Sequence, residues 1–300
     1  MKRTSITTLL AAVFVAATLT TSTSMQAAQA VREEHQELAA SSGGTLTFKT
    51  VSGAIEIKTH NQDTVVYDAE LKAGGWFRSG SAAMDQIEFN YEKSDGDVKI
   101  TMKWKNDKPP RNSNLNAHHT LLIPARYNVD VRTAGGSIKG TDINGNVAAR
   151  TSGGSIRFGK VTGDLKVNTS GGSIALEEVK GDADVQTSGG SIRIDDVDGN
   201  LMARTSGGSI NVGTVTGELK GKTSGGSISA EISNQIDKPL ELTTSGGNIE
   251  LSVPGDLKAD LNARTSGGKV KCELPLEGTI KKTSVNAKIN GGGPEVTLRT

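Results

Sequence analysis

The chain has 300 residues, with 34 Lys and Arg against 33 Asp and Glu, 37 Gly, one Cys and 3% aromatic residues. Near-neutral charge leaves no electrostatic footprint for a nucleic-acid partner, and a single cysteine leaves no internal disulfide framework. So few aromatic residues exclude a large aromatic-packed core, while abundant glycine fits many tight turns.

In chain order, the first element is a secretory signal over residues 1–30. Lys2 and Arg3 give a basic start, and Ala28-Gln29-Ala30 is a small-x-small cleavage site. Ile6 to Leu19 is apolar but shorter than the roughly 20 residues of a membrane span. Val31, not a Cys, stands directly after the site, which argues against a lipid anchor. Taking Lys2 and Arg3 from the 34 basic residues leaves 32 against 33 acidic ones, and no second long apolar run follows. The expectation is an exported chain, periplasmic, extracellular or on the cell surface, with no transmembrane segment once the signal is gone.

Residues 31–42 read as a polar leader, and 43–132 as an irregular β cap with the first coils. Both tryptophans, Trp76 and Trp104, fall here. Thr47 to Ile57 reads as a decayed rung: a strand, a Ser52-Gly53 corner, then Ile55-x-Ile57. Leu121-Leu122-Ile123-Pro124 through Val129-Asp130-Val131 leads into a regular array over residues 133–300.

The array is built on the phrase Thr-Ser-Gly-Gly-Ser-Ile, which begins at Thr151, Thr169, Thr187, Thr205 and Thr223, with variants at Thr133, Thr244 and Thr265. The first six starts are 18 residues apart and the next two intervals are 21. A fixed period near 20 marks a stacked array in which each unit buries its apolar face against its neighbours. Within a unit, Val197, Leu201, Ala203 and Thr205 share one parity, the alternation of a half-buried strand. Ile210 has switched parity, so Gly207-Gly208 is read as a corner where glycine supplies backbone angles other residues resist. A further corner is expected at Val215-Thr216-Gly217-Glu218. Three inward segments per repeat, at ~3.3 Å per residue, give a triangular coil about 60 Å around. The fold class is therefore all-β: a parallel, right-handed β-solenoid of 18–21-residue coils. Its expected ladders are Ile156, Ile174, Ile192, Ile210 and Ile228, and Val147, Leu165, Ala183, Leu201 and Leu219. The three extra residues of the longer units, around Asn234 to Lys238, are expected to loop out. Antiparallel hairpins with Gly-Gly turns are the alternative architecture. Glu295 to Thr300 reads as the strand before another corner, which would leave an open rung and points to a truncated sequence.

The Ser-Gly-Ala-Ile-Glu-Ile start, the Thr-Ser-Gly-Gly-Ser-Ile units and the late Ile289-Asn290-Gly291-Gly292-Gly293-Pro294 phrase resemble the bacterial "putative adhesin" β-strand-repeat domains over residues 43–300. That resemblance implies a solenoid and a cell-envelope setting, and carries no active-site motif.

No constellation of catalytic residues is found. His118 and His119 are adjacent, so a strand points them to opposite faces and they do not share an ion; exposed histidines are the expectation. Cys272 follows Val270 at an inward position and is expected to be a buried thiol. The corner serines repeat without a matching His and Asp. The glycine pairs lack the Lys and helix of a phosphate loop, and the calcium-binding nonapeptide pattern is absent. Neither a cofactor nor a metal is expected, and the chain is read as non-catalytic. One outward feature stands out. The residue before each corner Thr is cationic at Arg132, Arg150, Arg204, Lys222, Arg264, Lys282 and Arg299, with Asn168, Gln186 and Thr243 between. Stacking would make these a stripe able to meet an anionic envelope polymer or glycan. The reading is an exported adhesin-like or structural binding module. Alternatives are a scaffold that self-associates through its solenoid ends and a glycan-active enzyme on a β-helix.

Overall fold

A computed structural model describes residues 30–74, 83–109, 114–232 and 234–300. Trp76 and all of the signal except Ala30 lie outside the described residues. The N-terminal third forms β1 (Ala30–Ala39), β2 (Thr45–Thr50), β3 (Ala54–His60), β4 (Thr64–Gly74), β5 (Ile87–Ser94), β6 (Asp97–Trp104) and β7 (Asn114–Pro124). The array begins with β8 (Asn128–Thr133), β9 (Ile138–Gly140), β10 (Ile143–Asn144), β11 (Val147–Thr151), β12 (Ile156–Thr162), β13 (Leu165–Thr169), β14 (Ile174–Lys180) and β15 (Ala183–Thr187). It continues through β16 (Ile192–Asp198), β17 (Leu201–Arg204), β18 (Ile210–Val215), β19 (Leu219–Lys222), β20 (Ile228–Glu231), β21 (Leu240–Thr243), β22 (Ile249–Ser252) and β23 (Ala259–Arg264). The last strands are β24 (Leu276–Lys281), β25 (Ser284–Ile289) and β26 (Glu295–Arg299).

These strands form two long sheets, A with 12 strands and B with 14. Each regular coil gives one strand to each sheet, and every pairing between coils is parallel, which removes the hairpin alternative from the array. Both expected ladders form. Ile156, Ile174, Ile192, Ile210 and Ile228 pair in register along sheet A. Val147, Leu165, Ala183, Leu201 and Leu219 do so along sheet B. All ten side chains are buried. The longer unit keeps register by pairing Leu219 with Leu240, its extra residues leaving the strands at 234–239.

Two of the three predicted sides lie in one sheet. In β14, Ile174, Leu176 and Val179 all face inward, so parity changes inside the strand. The register passes from Phe158–Leu176 to Lys160–Glu178, leaving Gly159 and Glu177 unpaired. A bulge repeated on each rung bends the sheet without a corner. The Gly-Gly corner also differs in its cause. Gly190 has no left-handed φ; a Cβ there would overlap the carbonyl oxygen of Gly172 on the coil below. Close stacking of backbone, and not an unusual angle, requires glycine at this position.

The cap is woven out of chain order. The β2–β3 coil lies between later strands: β2 pairs with β6 and β8, and β3 with β7 and β9. The decayed rung is thus a true rung, with Phe48 opposite Val131 and Ile55 opposite Ile138. Antiparallel β4 and β5 lie outside it. The stretch read as a polar leader is paired along β4 as β1. Its Arg32 guanidinium lies 4.9 Å from the Phe89 ring centroid and donates to Ile87 O, tying the outermost strands of the two sheets together.

The other end departs furthest from expectation. β26 inserts between β21 and β23 and pairs in parallel with both, so the rung ending at Thr300 is not an open edge. Pushed outward by that insertion, β23 is followed by an antiparallel hairpin of β24 and β25, and residues 269–275 form no strand in sheet A. Cys272 lies in this stretch and is exposed, correcting the buried assignment: its inward position exists only where a rung is built. In the folded chain Cys272 is expected to react with a thiol reagent at the rate of a free thiol. A tenfold or greater protection would return it to the core.

Candidate ligand-binding face

The corner threonines are structural. Thr205 Oγ1 donates to Gly190 O at 2.8 Å and accepts from Gly208 N at 3.3 Å, and Thr151, Thr169, Thr187 and Thr223 repeat the arrangement. All five are buried, so the repeated phrase builds the wall and offers little to a ligand.

The residue before each threonine does face outward. Lys49 pairs with Arg132, Arg132 with Arg150, Arg150 with Asn168, and Asn168 with Gln186. The row continues through Arg204, Lys222, Thr243, Arg299 and Arg264. Arg132, Arg150, Arg204, Lys222, Arg264 and Arg299 are all exposed in one file on sheet B. Lys282 is a correction: it lies in the β24–β25 turn, off the row, because the hairpin replaces the coil that would have carried it. Lys49 joins the row instead; its place in the decayed rung, before Thr50, was the signal that sequence reading passed over. Thr243, Asn168 and Gln186 divide the cations into groups.

Neighbouring rungs of a sheet are ~4.8 Å apart, so Arg132–Arg150, Arg204–Lys222 and Arg264–Arg299 set like charges side by side, an unfavourable pairing. Arg132 is relieved by Asp130 at 3.0 Å. Among the described residues, Arg150, Arg204, Lys222, Arg264 and Arg299 make no ion pair. Other cations of the array are paired: on sheet A Lys160 and Lys180 both reach Glu178, at 2.9 and 3.6 Å, and Arg193 reaches Asp195 at 3.1 Å, while on sheet B Lys166 reaches Asp184 at 3.7 Å and Lys220 reaches Glu218 at 2.7 Å. The Lys160 ammonium holds the Glu178 carboxyl below the usual carboxylate range.

Beside the row runs an open groove of about 690 Å³, lined in part by Ala148 and Met202 and by a polar ladder. Asn146 N donates to Asn128 Oδ1, Asp164 N to Asn146 Oδ1, Asp182 N to Asp164 Oδ1, and Asn200 N to Asp182 Oδ1, each at 2.9 or 3.0 Å. The Asn200 backbone N–H holds the Asp182 carboxyl below its ordinary range. This ladder fixes the corner after Gly145, Gly163, Gly181 and Gly199. Its 18-residue recurrence was present in the sequence, yet the alternation of Asn with Asp disguised it. Carboxylates of Asp130, Asp164, Asp182, Asp184 and Glu218 outnumber Lys166 and Lys220 along the groove, so an anion would follow the neighbouring basic row.

The predicted exposed histidine pair is corrected in half. His118 is exposed, while His119 is fully buried in the cap. Ser52 O accepts from His119 Nε2 at 2.9 Å, which leaves Nδ1 to accept the Tyr67 hydroxyl at 3.0 Å. Burial drives its pKa down to about 4.

Among the described residues no helix is long and apolar enough to cross a membrane. No curated protein matches the chain. Among solved structures, a "putative adhesin" from Bacteroides fragilis is 16% identical, with 76% of this chain and 100% of that chain covered and a TM-score of 0.51. A "putative adhesin" from Parabacteroides distasonis is 13% identical over 73% and 97%, TM-score 0.39. A "putative lipid binding protein" from the same species is 16% identical over 72% and 96%, TM-score 0.34. At these identities the first supports the fold alone. The family model Toastrack DUF4097 matches residues 53–300, most of the chain, and the chain belongs to that family.

Proposed function

We propose that this chain is an exported, non-catalytic, adhesin-like module of the bacterial envelope, periplasmic or on the surface, which binds an anionic polymer or glycan along the outer face of sheet B. The coil is taken as right-handed, the hand that parallel crossovers adopt. One observation carries the reading: an in-register row of exposed cations, most without a carboxylate partner, stacked against its own electrostatic preference. A polyanion lying along the row would relieve that repulsion rung by rung. The adhesin descriptions of the structural neighbours agree with a binding role.

The test replaces Arg150, Arg204 and Lys222 with Ser and measures binding to lipopolysaccharide and to teichoic acid at two salt concentrations. Exposed charge contacts of under about 1 kcal/mol each predict a loss of about tenfold for the triple variant and a weaker salt dependence. Unchanged affinity and salt dependence would overturn the assignment.

A further inference from the structure

We propose that β26 is a removable strand, and that when it leaves, the tail closes by one rung: β23 pairs with β21, and residues 269–273 pair with β22 as the missing rung of sheet A. The proposal is independent of the polyanion reading. It rests on two segments of one pattern that compete for one edge.

Glu295-Val296-Thr297-Leu298-Arg299-Thr300 and Asp260-Leu261-Asn262-Ala263-Arg264-Thr265 share the order acid, apolar, polar, apolar, Arg, Thr. β26 holds the place beside β21, with Val296 on Leu240 and Leu298 on Leu242. β23 lies outside it, with Leu261 on Val296 and Ala263 on Leu298. Yet β23 matches β21 directly. Leu261 follows Leu240 by 21 residues, the interval that sets Leu240 on Leu219.

The corner records the displacement. Thr244 Oγ1 donates to Gly226 O on the preceding coil at 2.8 Å. Thr265 opens the next copy of the phrase, but its hydroxyl meets Thr300 Oγ1 at 2.8 Å, and Ser266 N donates to Thr300 O at 3.0 Å. Thr300 thus stands at the level that the period reserves for Thr265. The glycines agree. A Cβ on Gly247 would overlap Gly226 O, whereas one on Gly267 would meet nothing within 4 Å among the described residues, and one on Gly268 only Thr265 Oγ1 at 3.5 Å. The pair Gly267-Gly268 therefore suits a stacked corner that is not built while β26 is inserted. Val270 and Cys272 continue the pattern, 21 residues after Ile249 and Leu251. Those two are half-buried, while Ile228 and Ala230 one rung earlier are 1% and 3% exposed. Among the described residues β22 pairs on one side only, so the rung that Val270 and Cys272 would complete has an edge ready to accept it.

The two arrangements are closely balanced. Inserted, β26 makes two ladders, with β21 and with β23. Withdrawn, it leaves two others, β23 on β21 and residues 269–273 on β22. Insertion buries Val296; closure buries Val270 and Cys272 and covers Ile249 and Leu251. Insertion also sets Arg299 beside Arg264, a like-charge contact that closure replaces with Arg264 beside Thr243. Near-equal packings of one sequence make a two-state element. Asn290-Gly291-Gly292-Gly293-Pro294 joins β26 to β25, and its three glycines let the strand swing away. The tail thereby shows or hides the β22 edge.

Labelling of Cys272 by a thiol reagent in the full chain, read beside circular dichroism, tests this. With β26 inserted, the wild type should label as a free thiol. Val296→Asp puts a carboxylate where Val296 is 2% exposed and should expel β26. The variant should stay folded and its Cys272 should label at least tenfold more slowly. The milder Val296→Ala should slow labelling less, in the same direction. Adding Gly268→Ala to Val296→Asp should restore fast labelling. Its methyl has room while β26 is inserted, but after closure it would meet the corner of Gly247 as a Cβ on Gly247 would meet Gly226. Folded Val296 variants whose Cys272 labels at the wild-type rate or faster would overturn the proposal. So would protection that Gly268→Ala leaves intact, or loss of the β signal in both Val296 variants, since closure keeps the array whole.

Discussion

Acidification from pH 7 to pH 4 is expected to remove about 3 kcal/mol of stability through His119 alone. The imidazole has a pKa of 6.5 when free in the unfolded chain and about 4 in the fold. Between those values the unfolded chain binds a proton that the folded chain refuses, so stability falls as pH falls, at about 1.4 kcal/mol per pH unit. Above pH 6.5 the contribution is fully present, and below about 4 it is exhausted. The cause is burial. His119 packs 5.1 Å from Phe48, ring centroid to centroid, with Tyr67 and Ser52 holding its two nitrogens. A charged ring would lose solvation there with no carboxylate to repay it.

Urea denaturation of the wild type and of His119→Gln across pH 4 to 7.5 is the measurement. At pH 7 the variant should be less stable by about 1–3 kcal/mol, from misplaced hydrogen bonds to Tyr67 and Ser52. Toward pH 4 the wild type should lose that advantage and the two midpoints should converge. Parallel profiles would show that His119 titrates normally and is not held neutral by the cap.

The second large effect contrasts adjacent glycines. Gly190→Ala is expected to cost about 3 kcal/mol or more, because the new methyl would overlap Gly172 O and force two stacked corners apart. Gly189→Ala should be neutral or stabilising by about 0.5 kcal/mol. Its Cβ would lie 3.4 Å from Gly171 O, an ordinary contact, and the substitution narrows the unfolded ensemble. Denaturant midpoints of the two variants settle the point. Equal costs would show that stacking distance does not distinguish the two glycines. In a solenoid each corner stacks on the one below, so the strain of Gly190→Ala falls on the interface with the Gly172 coil.

The contrast shows what a repeat conveys to a reader of sequence. Period 18 placed Ile192 over Ile174 and Ala183 over Leu165 correctly, because equal intervals of chain around a closed path return the same residue to the same place. It also identified Thr205 as an inward residue, from parity alone. It did not reveal why Gly190 is glycine, since the obstruction comes from a residue 18 positions away. The basic row was legible for the same reason as the ladders. Lys49 and Lys282 exchanged places because the decayed first rung and the terminal hairpin are judged by pairing, not by local pattern.

The sequence by itself determined the inward residues of the rung, its Gly-Gly corner and its stacking in register. These follow from strand alternation and a constant period, both local properties of the chain. The tertiary structure decided the ends. The insertion of β26 between β21 and β23, the intercalation of β2–β3 within later strands, the burial of His119 and the exposure of Cys272 all depend on which edge strand finds which partner. An unpaired rung must be covered by some strand, and the chain can satisfy that demand from a distance. Where the period breaks, nothing local specifies which segment will do so.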